Sequence, residues 1–249
     1  MKILVPCPEC ALNAKEGDSV EENGVEFRDD RILYVDCKYG HKTGVFLKHD
    51  KFELLFDSGA LAIATGFSRE AVANFAASLE RFFEFYIRVI CSARGLSEKV
   101  IAAAWKPISK QSERQFGAFL FTYLLHNEGT WESYNQSLSE FRNKVIHQGY
   151  FPTREEAVDY GRYVYCILTS EIQRLKKEHV QAIDQIFTNL ESAAQQTIQN
   201  ASNKSENGQR AVHSAMIQPL VCTRTIRPDV KVLEFDFALE RFQKRHIWR

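Results

Sequence analysis

The sequence predicts a mainly α-helical protein with a small β-rich module at its N-terminus and a short β-containing segment at its C-terminus. Over most of the chain, apolar residues recur every three or four positions, the spacing of a buried helix face. Short strand-like segments precede and follow that region. We therefore expect a β-rich module at residues 1–65, a helical domain at 66–199, a linker or loop at 200–210, and a β segment with a basic tail at 211–249.

Composition places the chain among ordinary globular proteins, with 249 residues, 45% hydrophobic and 26% charged. The 32 basic residues balance the 32 acidic residues, so any contact with RNA must come from a local patch. The sequence has no run of 18 apolar residues, and its short N-terminal apolar stretch is interrupted at Pro6. We expect neither a signal peptide nor a membrane span. The protein is expected to be cytoplasmic, with its six cysteines serving as metal ligands or buried thiols.

Two pairs of metal-ligand residues lie in the N-terminal module. Cys7 and Cys10 are separated by two residues, and Cys37 and His41 by three. Strand-like segments lie between and after these pairs, at residues 25–27, 32–35, 44–47 and 52–56. Three thiolates and one imidazole suit tetrahedral zinc, and four protein ligands leave no position for water. The pattern resembles a zinc ribbon, and it predicts a structural zinc ion.

Two alternatives remain open for this module. His49 could replace His41 as the fourth ligand, although it lies within a charged run at residues 48–51. Without a metal, Cys37 would be a buried thiol and the Cys7/Cys10 pair would lie on a loop.

Five helices are expected in the central domain. The first has Ser68 as its N-cap and Gly95 as its terminator, and its aromatic residues are expected in the core. The others are expected at residues 97–105, 112–126, 130–149 and 153–200. The last would be about 70 Å long, so part of it should need a partner, either a second copy of the chain or a helix from the C-terminal part.

The C-terminal part begins with the polar linker expected at residues 200–210. Residues 216–226 and 230–237 have strand-like patterns on either side of a turn at residues 227–229. The tail at residues 241–249 carries four basic and two aromatic residues. It is either a solvated terminus or a contact for a phosphate backbone or an acidic partner.

The candidate site lies near the end of the helix expected at residues 130–149. The apolar face of this helix consists of Trp131, Tyr134, Leu138, Phe141 and Val145. Arg142, Asn143 and His147 fall on the opposite side, and Asn143 and His147 lie almost over one another because they are four residues apart. Ile146 shares that polar face, which favours contact of the face with another surface.

This arrangement resembles the Arg-(four to six residues)-His motif of the HEPN family, the "higher eukaryotes and prokaryotes nucleotide-binding" domains. An Asn directly after the Arg, as at Asn143, is common in the family, and the resemblance covers roughly residues 66–180. It implies an all-α HEPN-like bundle and an endoribonuclease that needs no catalytic metal. It also implies a homodimer or higher oligomer in which two motifs, one per subunit, form one composite site. RNA would be cleaved to a 2′,3′-cyclic phosphate and a 5′-hydroxyl.

The resemblance also assigns roles. Arg142 would stabilise charge in the transition state, His147 would act as general base or acid, and Asn143 would orient His147 or the phosphate. A polar residue of the first long helix often joins such sites. The candidates here are Glu80, Arg81, Glu84 and Arg88. By analogy, the biological setting would be bacterial defence or toxin activity, in which the zinc or C-terminal module senses a signal or binds a regulatory protein.

Other interpretations of the motif remain open. The same Arg-x4-His spacing recurs at Arg174/His179 and Arg241/His246, and at Arg174 we expect it to be structural. Arg142 and Asn143 could instead cap carbonyls at the helix end, with His147 interacting with the helix dipole. A catalytically silent HEPN-like scaffold that binds RNA, a nucleotide or a protein partner is the main alternative function.

Overall fold

The computed structural model describes residues 2–15, 20, 22–133, 135–203, 211–216 and 219–246. Within them the protein is mainly helical, with small N-terminal sheets and one short C-terminal strand, as expected at this level. The elements in chain order are β1 (Lys2–Pro6), α1 (Pro8–Asn13), β2 (Glu22–Glu26), β3 (Ile32–Asp36), β4 (Lys42–Leu47), α2 (Lys51–Ala64), α3 (Ser68–Ala93), α4 (Glu98–Trp105), α5 (Ser112–Asn127), α6 (Gln136–His147), α7 (Arg154–Asn203), β5 (Ala211–Ala215) and α8 (Phe235–His246). None of the described helices has the length and apolar character needed to cross a membrane.

The chain forms two compact units. The first comprises residues 1–48 and 185–217, and the second comprises residues 49–184 and 218–249. This division differs from the one expected from the sequence, because residues 49–64 belong to the second unit and the C-terminal segment contributes to both.

The first unit contains two small sheets. Strands β1 and β2 pair antiparallel, while β3 and β4 form an antiparallel hairpin to which β5 adds in parallel. One face of the hairpin buries Leu33, Val35, Val45 and Leu47, as the alternation of side chains along a strand requires.

The other face of the hairpin covers the C-terminal part of α7. There Ile32 and Phe46 pack against Ala194 and Ile198. Gly44 permits the approach, because a Cβ atom at this position would lie 2.5 Å from the Ile198 side chain. The C-terminal part of α7 belongs to the first unit, and the sheet of that unit covers it. The sequence had suggested another helix or a second copy of the chain as the partner.

The second unit is built around α3. Its aromatic residues form the core, as expected, and Phe75, Phe82 and Tyr86 are fully buried. Helix α2 packs along it through two further rings, with Phe52 5.3 Å from Phe82 and Phe56 4.8 Å from Phe75.

Local signals set several of the helix ends. Thr153 and Glu156 form the expected capping box, in which the Glu156 N–H donates to the Thr153 hydroxyl (3.1 Å) and the Thr153 N–H donates to the Glu156 carboxylate (2.7 Å). Gly95 follows α3 with φ +80°, a conformation that favours glycine. Helix α6 begins at Gln136, several residues later than expected, because Asn135 caps it.

Three predicted strands are wrong. Residues 52–56 lie in α2, because the same apolar residues also fit a helical face and Asp50 and Glu53 supply a capping box. Residues 235–237 begin α8, and residues 219–226 form bends and turns after β5 has ended.

The polar segment expected as a linker at residues 200–210 also differs from expectation. Its first part, residues 200–203, continues α7, and residues 204–210 lie outside the described residues. Tyr134 and residues 247–249 of the tail lie outside them as well.

Two glycines in helices give a test of the packing. A Cβ atom at Gly59 would lie 2.6 Å from the ring of Phe75, whereas at Gly117 nothing lies within 4 Å. Alanine is favoured over glycine within helices by about 1 kcal/mol. We predict that Gly117→Ala raises the free energy of unfolding by up to about 1 kcal/mol, and that Gly59→Ala lowers it by about 1–3 kcal/mol because Phe75 must move. Chemical denaturation measures both, and stabilisation by Gly59→Ala would contradict this packing.

Candidate functional site

Helix α6 carries the candidate site, and its apolar face holds it in the second unit. Val145 is completely buried, while Leu138 and Phe141 are partly buried. The Phe141 ring lies 5.9 Å from the Tyr160 ring of α7. The face predicted from the spacing is therefore present from Leu138 onward.

Arg142 is paired with a residue of α3. Its guanidinium donates to the Glu80 carboxylate, and a second N–H donates to the Asn143 side-chain oxygen at 2.8 Å. The Arg142 side chain is only 16% exposed, so it is less outward-facing than the helical spacing predicted. Glu80 is thus the residue of the first long helix that adjoins the motif.

His147 lies apart from this group. It is the last residue of α6, exposed to solvent and one helical turn beyond Asn143. The structure therefore links Arg142 to both Glu80 and Asn143, while His147 shares the helix of Arg142 but lies one turn further along it.

A cavity of about 240 Å³ adjoins Arg142 and Asn143. Four helices and the segment before α6 contribute to it, and six of its aromatic or charged side chains are Glu80, Phe83, Phe116, Trp131, Tyr160 and Tyr163. Burial raises the pKa of the Tyr160 hydroxyl above its ordinary value. The cavity is smaller than the roughly 300–1,000 Å³ of typical small-molecule sites, and aromatic rings form part of its wall.

A candidate metal centre lies in the first unit. The ligand atoms of Cys7, Cys10, Cys37 and His41 all lie within 4.8 Å of one another. The His41 Nδ1 atom is 3.3 Å from the Cys10 sulfur, 3.4 Å from the Cys37 sulfur and 3.7 Å from the Cys7 sulfur. A tetrahedral zinc ion with bonds of about 2.3 Å to sulfur and about 2.0 Å to nitrogen would place its ligand atoms roughly 3.5–3.8 Å apart. The four residues therefore fit zinc.

The local backbone explains how these residues meet. Cys37 and His41 flank the turn between β3 and β4, closed by the Cys37 N–H donating to the His41 carbonyl at 3.0 Å, with Gly40 at φ +85°. Cys7 follows β1 directly, and Cys10 lies in the first turn of α1. Burial favours the neutral Cys37 thiol, but backbone N–H groups of Tyr39 and His41 lower its pKa to about 7.

His49, the alternative fourth ligand, belongs to another cluster. Its Nδ1 atom lies 2.8 Å from the Glu53 carboxylate, and both side chains are completely buried. Glu53 also accepts the Thr223 N–H at 2.6 Å, and Cys222 lies within the same group. Sequence reasoning missed this cluster, since Glu53 and Thr223 are 170 residues apart.

The buried pair makes stability depend on pH. Burial favours the neutral imidazole, but hydrogen bonds to Cys222 and Glu53 raise the His49 pKa from 6.5 to about 9. The stabilisation is complete below the unfolded pKa and is lost as pH rises through the folded pKa. We predict that the unfolding free energy of the second unit falls by up to about 3 kcal/mol between pH 6.5 and 9. Urea denaturation followed by tryptophan fluorescence measures this, and Glu53→Gln should flatten the dependence.

Comparison of the chain with protein-family models, with curated proteins and with solved structures finds no match. The resemblance to the HEPN family therefore rests on the motif residues and the helices that carry them.

Proposed function

We propose that this protein is a HEPN-type endoribonuclease that cleaves RNA without a catalytic metal, at a composite site formed by two copies of the chain. The observation that carries the proposal is the Glu80, Arg142 and Asn143 group, which lies against an aromatic-walled cavity with the exposed His147 one turn further along α6. The products would be a 2′,3′-cyclic phosphate and a 5′-hydroxyl.

Arg142 would stabilise negative charge on the phosphate. A guanidinium has five N–H donors, and Glu80 and Asn143 occupy two of them. The others remain for phosphate oxygens, and the pairing with Glu80 fixes the orientation of the side chain. An oriented guanidinium costs less reorganisation when charge develops in the transition state.

His147 would transfer the proton. An imidazole can both accept and donate a proton, which is what a general base or acid must do. Exposure of His147 leaves it accessible to the 2′-hydroxyl or to the leaving oxygen, and Asn143 lies one turn away on the same side. In this scheme the base or acid and the charge stabiliser of one reaction come from two copies of α6.

A second copy of the chain would also cover an apolar surface near the site. Three large side chains of α5, Phe121, Leu124 and Leu125, are 70%, 42% and 71% exposed. They lie on the same helix as Phe116, which lines the cavity beside Arg142. Burial of apolar surface of this kind is what drives association of subunits.

We further propose that Cys7, Cys10, Cys37 and His41 bind a structural zinc ion, which would be closed to water because all four ligands come from the protein. The first unit would then be a sensor or a docking module for a regulatory protein, in a defence or toxin system of the cytoplasm. That biological setting rests on analogy with the family.

A second candidate function is a catalytically silent scaffold that binds RNA, a nucleotide or a protein partner. The observation that favours it is the pairing of Arg142, whose charge is already compensated by Glu80. In that case the aromatic cavity would hold a single base, and His147 would contribute to affinity and not to chemistry.

Incubation of the purified protein with end-labelled total RNA tests the proposal. The buffer contains no added divalent metal, and end-group analysis identifies the products. We expect cyclic phosphate ends from the wild type and from His179→Ala, and none from Arg142→Ala or His147→Ala. Wild-type protein that binds RNA without cutting it would instead establish the scaffold.

A further inference from the structure

A third cluster of ligand-type residues lies outside both sites described above. It consists of His126 at the end of α5 and of Glu178 and His179 on α7. The two histidine Nε2 atoms lie 3.3 Å apart, and the Glu178 carboxylate lies 3.0 Å from the first and 3.8 Å from the second. All three ligand atoms therefore converge on one point.

These distances match the edges of a metal coordination shell. Bonds of about 2.0–2.1 Å to nitrogen and oxygen place neighbouring ligand atoms roughly 3.3–3.4 Å apart in a tetrahedral site. Imidazole nitrogen favours zinc and its late transition-metal neighbours, whereas Mg²⁺ and Ca²⁺ favour sites made of oxygen alone. The donor set thus selects the zinc class.

The backbone of α7 departs from helical geometry at the residue that completes the cluster. His179 has φ −134° and ψ 31° in the middle of an otherwise helical segment. Helix breaks usually occur at proline or glycine, yet the sequence has neither between Gly161 and Gly208. Neither proline nor glycine therefore accounts for the break, and it occurs where His179 meets His126.

Hydrogen bonds hold the end of α5, which carries His126, in place. Asn127, the neighbour of His126, donates to the Tyr86 hydroxyl at 2.9 Å and accepts from Arg174 at 3.3 Å. Arg174 also donates to the Tyr123 hydroxyl, so it has a structural role at this position. These bonds fix the end of α5 and with it the backbone of His126.

We propose that His126, Glu178 and His179 bind a zinc-class divalent ion through three protein ligands, leaving one coordination position for water or an external ligand. The side chains of His126 and His179 are 12% and 20% exposed, whereas Glu178 is 50% exposed, so the open position faces solvent. The ion would join the end of α5 to the break in α7. This site is independent of the ribonuclease proposal.

Zinc titration of the full chain, with the cysteine site already filled, tests the proposal. The wild type should bind one further equivalent, and Glu178→Gln and His126→Ala should bind it at least about 100-fold more weakly, because even supporting residues cost 10–100-fold. His147→Ala is the matched control and should bind normally. Zinc at a hundredfold excess over Kd should also raise the wild-type melting temperature by about 5–10 °C.

Cobalt distinguishes this site from the cysteine site. Co²⁺ bound to two nitrogens and one oxygen lacks the sulfur-to-metal charge-transfer absorption that a thiolate site gives. Glu178→Gln decides the result if His126→Ala does not fold, because Glu178 is half exposed. The proposal is overturned if zinc binds only at the cysteine site, or if the further equivalent binds equally well to Glu178→Gln and wild type.

Discussion

Removing the zinc ion that we propose at the cysteine site is expected to unfold the first unit. Structural zinc contributes roughly 10–16 kcal/mol of apparent binding free energy at pH 7, which equals or exceeds the about 5–15 kcal/mol that holds a typical domain folded. The ligands are part of the core: Cys7 is 1% exposed and packs with Val5 and Leu33, and Cys10 and Cys37 adjoin the same cluster. Loss of the ion would leave three neighbouring thiols with no cation to stabilise their ionised forms.

Cys37→Ser measures this effect, with Cys166→Ser as its control because Cys166 is an exposed thiol on α7. We expect Cys37→Ser to lose the zinc of this site and the native amide signals of β3 and β4, while Cys166→Ser keeps both. Metal analysis gives the stoichiometry, and NMR spectra report the fold. Freshly purified wild type with far less than one zinc per chain would refute the site.

The cysteine site could be predicted because its signals are local. Cys7 and Cys10 lie three positions apart, and Cys37 and His41 lie four apart, so each pair is set by one short turn. Only the meeting of the two turns had to be inferred, and the chemistry of zinc supplies that step. The same holds for α3, where the apolar periodicity predicts a helix and Gly95 predicts where that helix ends.

Pairings between distant residues could not be predicted. Strand β5 joins β4 in parallel from more than 160 residues away, and α2 has an apolar pattern that fits strand and helix alike. The hydrogen bond from the Thr223 N–H to Glu53 could not be predicted either, because residues so far apart form no recognisable motif in the sequence. Sequence patterns report local periodicity, whereas these features depend on which surfaces finally meet.

The candidate ribonuclease site could be predicted from the sequence only in part. The sequence placed Arg142, Asn143 and His147 on one helix, which the structure confirms. It did not predict that Arg142 would be largely buried, because its partner Glu80 is 62 residues away on α3. Because Arg142 lies on α6 and Glu80 on α3, the packing of these two helices determines the orientation of the Arg142 side chain.

Loss of RNA cleavage is the second large effect that we expect. His147→Ala should reduce the cleavage rate by about 10²–10⁴, the usual contribution of a general acid or base. Arg142→Ala should cost about 10²–10³, comparable to losing one preorganised electrostatic group. Gln148→Ala is the control, because Gln148 is exposed beside His147 at the end of α6. Initial rates on a labelled RNA measure these effects, with melting temperatures to exclude unfolding.

Mixing the two inactive variants tests whether the site is composite. Dimers that combine an Arg142→Ala chain with a His147→Ala chain carry one intact arginine and one intact histidine, on different chains. If the two groups act across the dimer interface, the mixture regains activity that neither variant has alone. If they act within one chain, every dimer in the mixture lacks a complete pair and the mixture stays inactive. Regained activity would therefore assign the chemistry to two copies of α6, whereas a mixture that exchanges subunits and stays inactive would rule out a site in which one Arg142 and one His147 suffice across the interface.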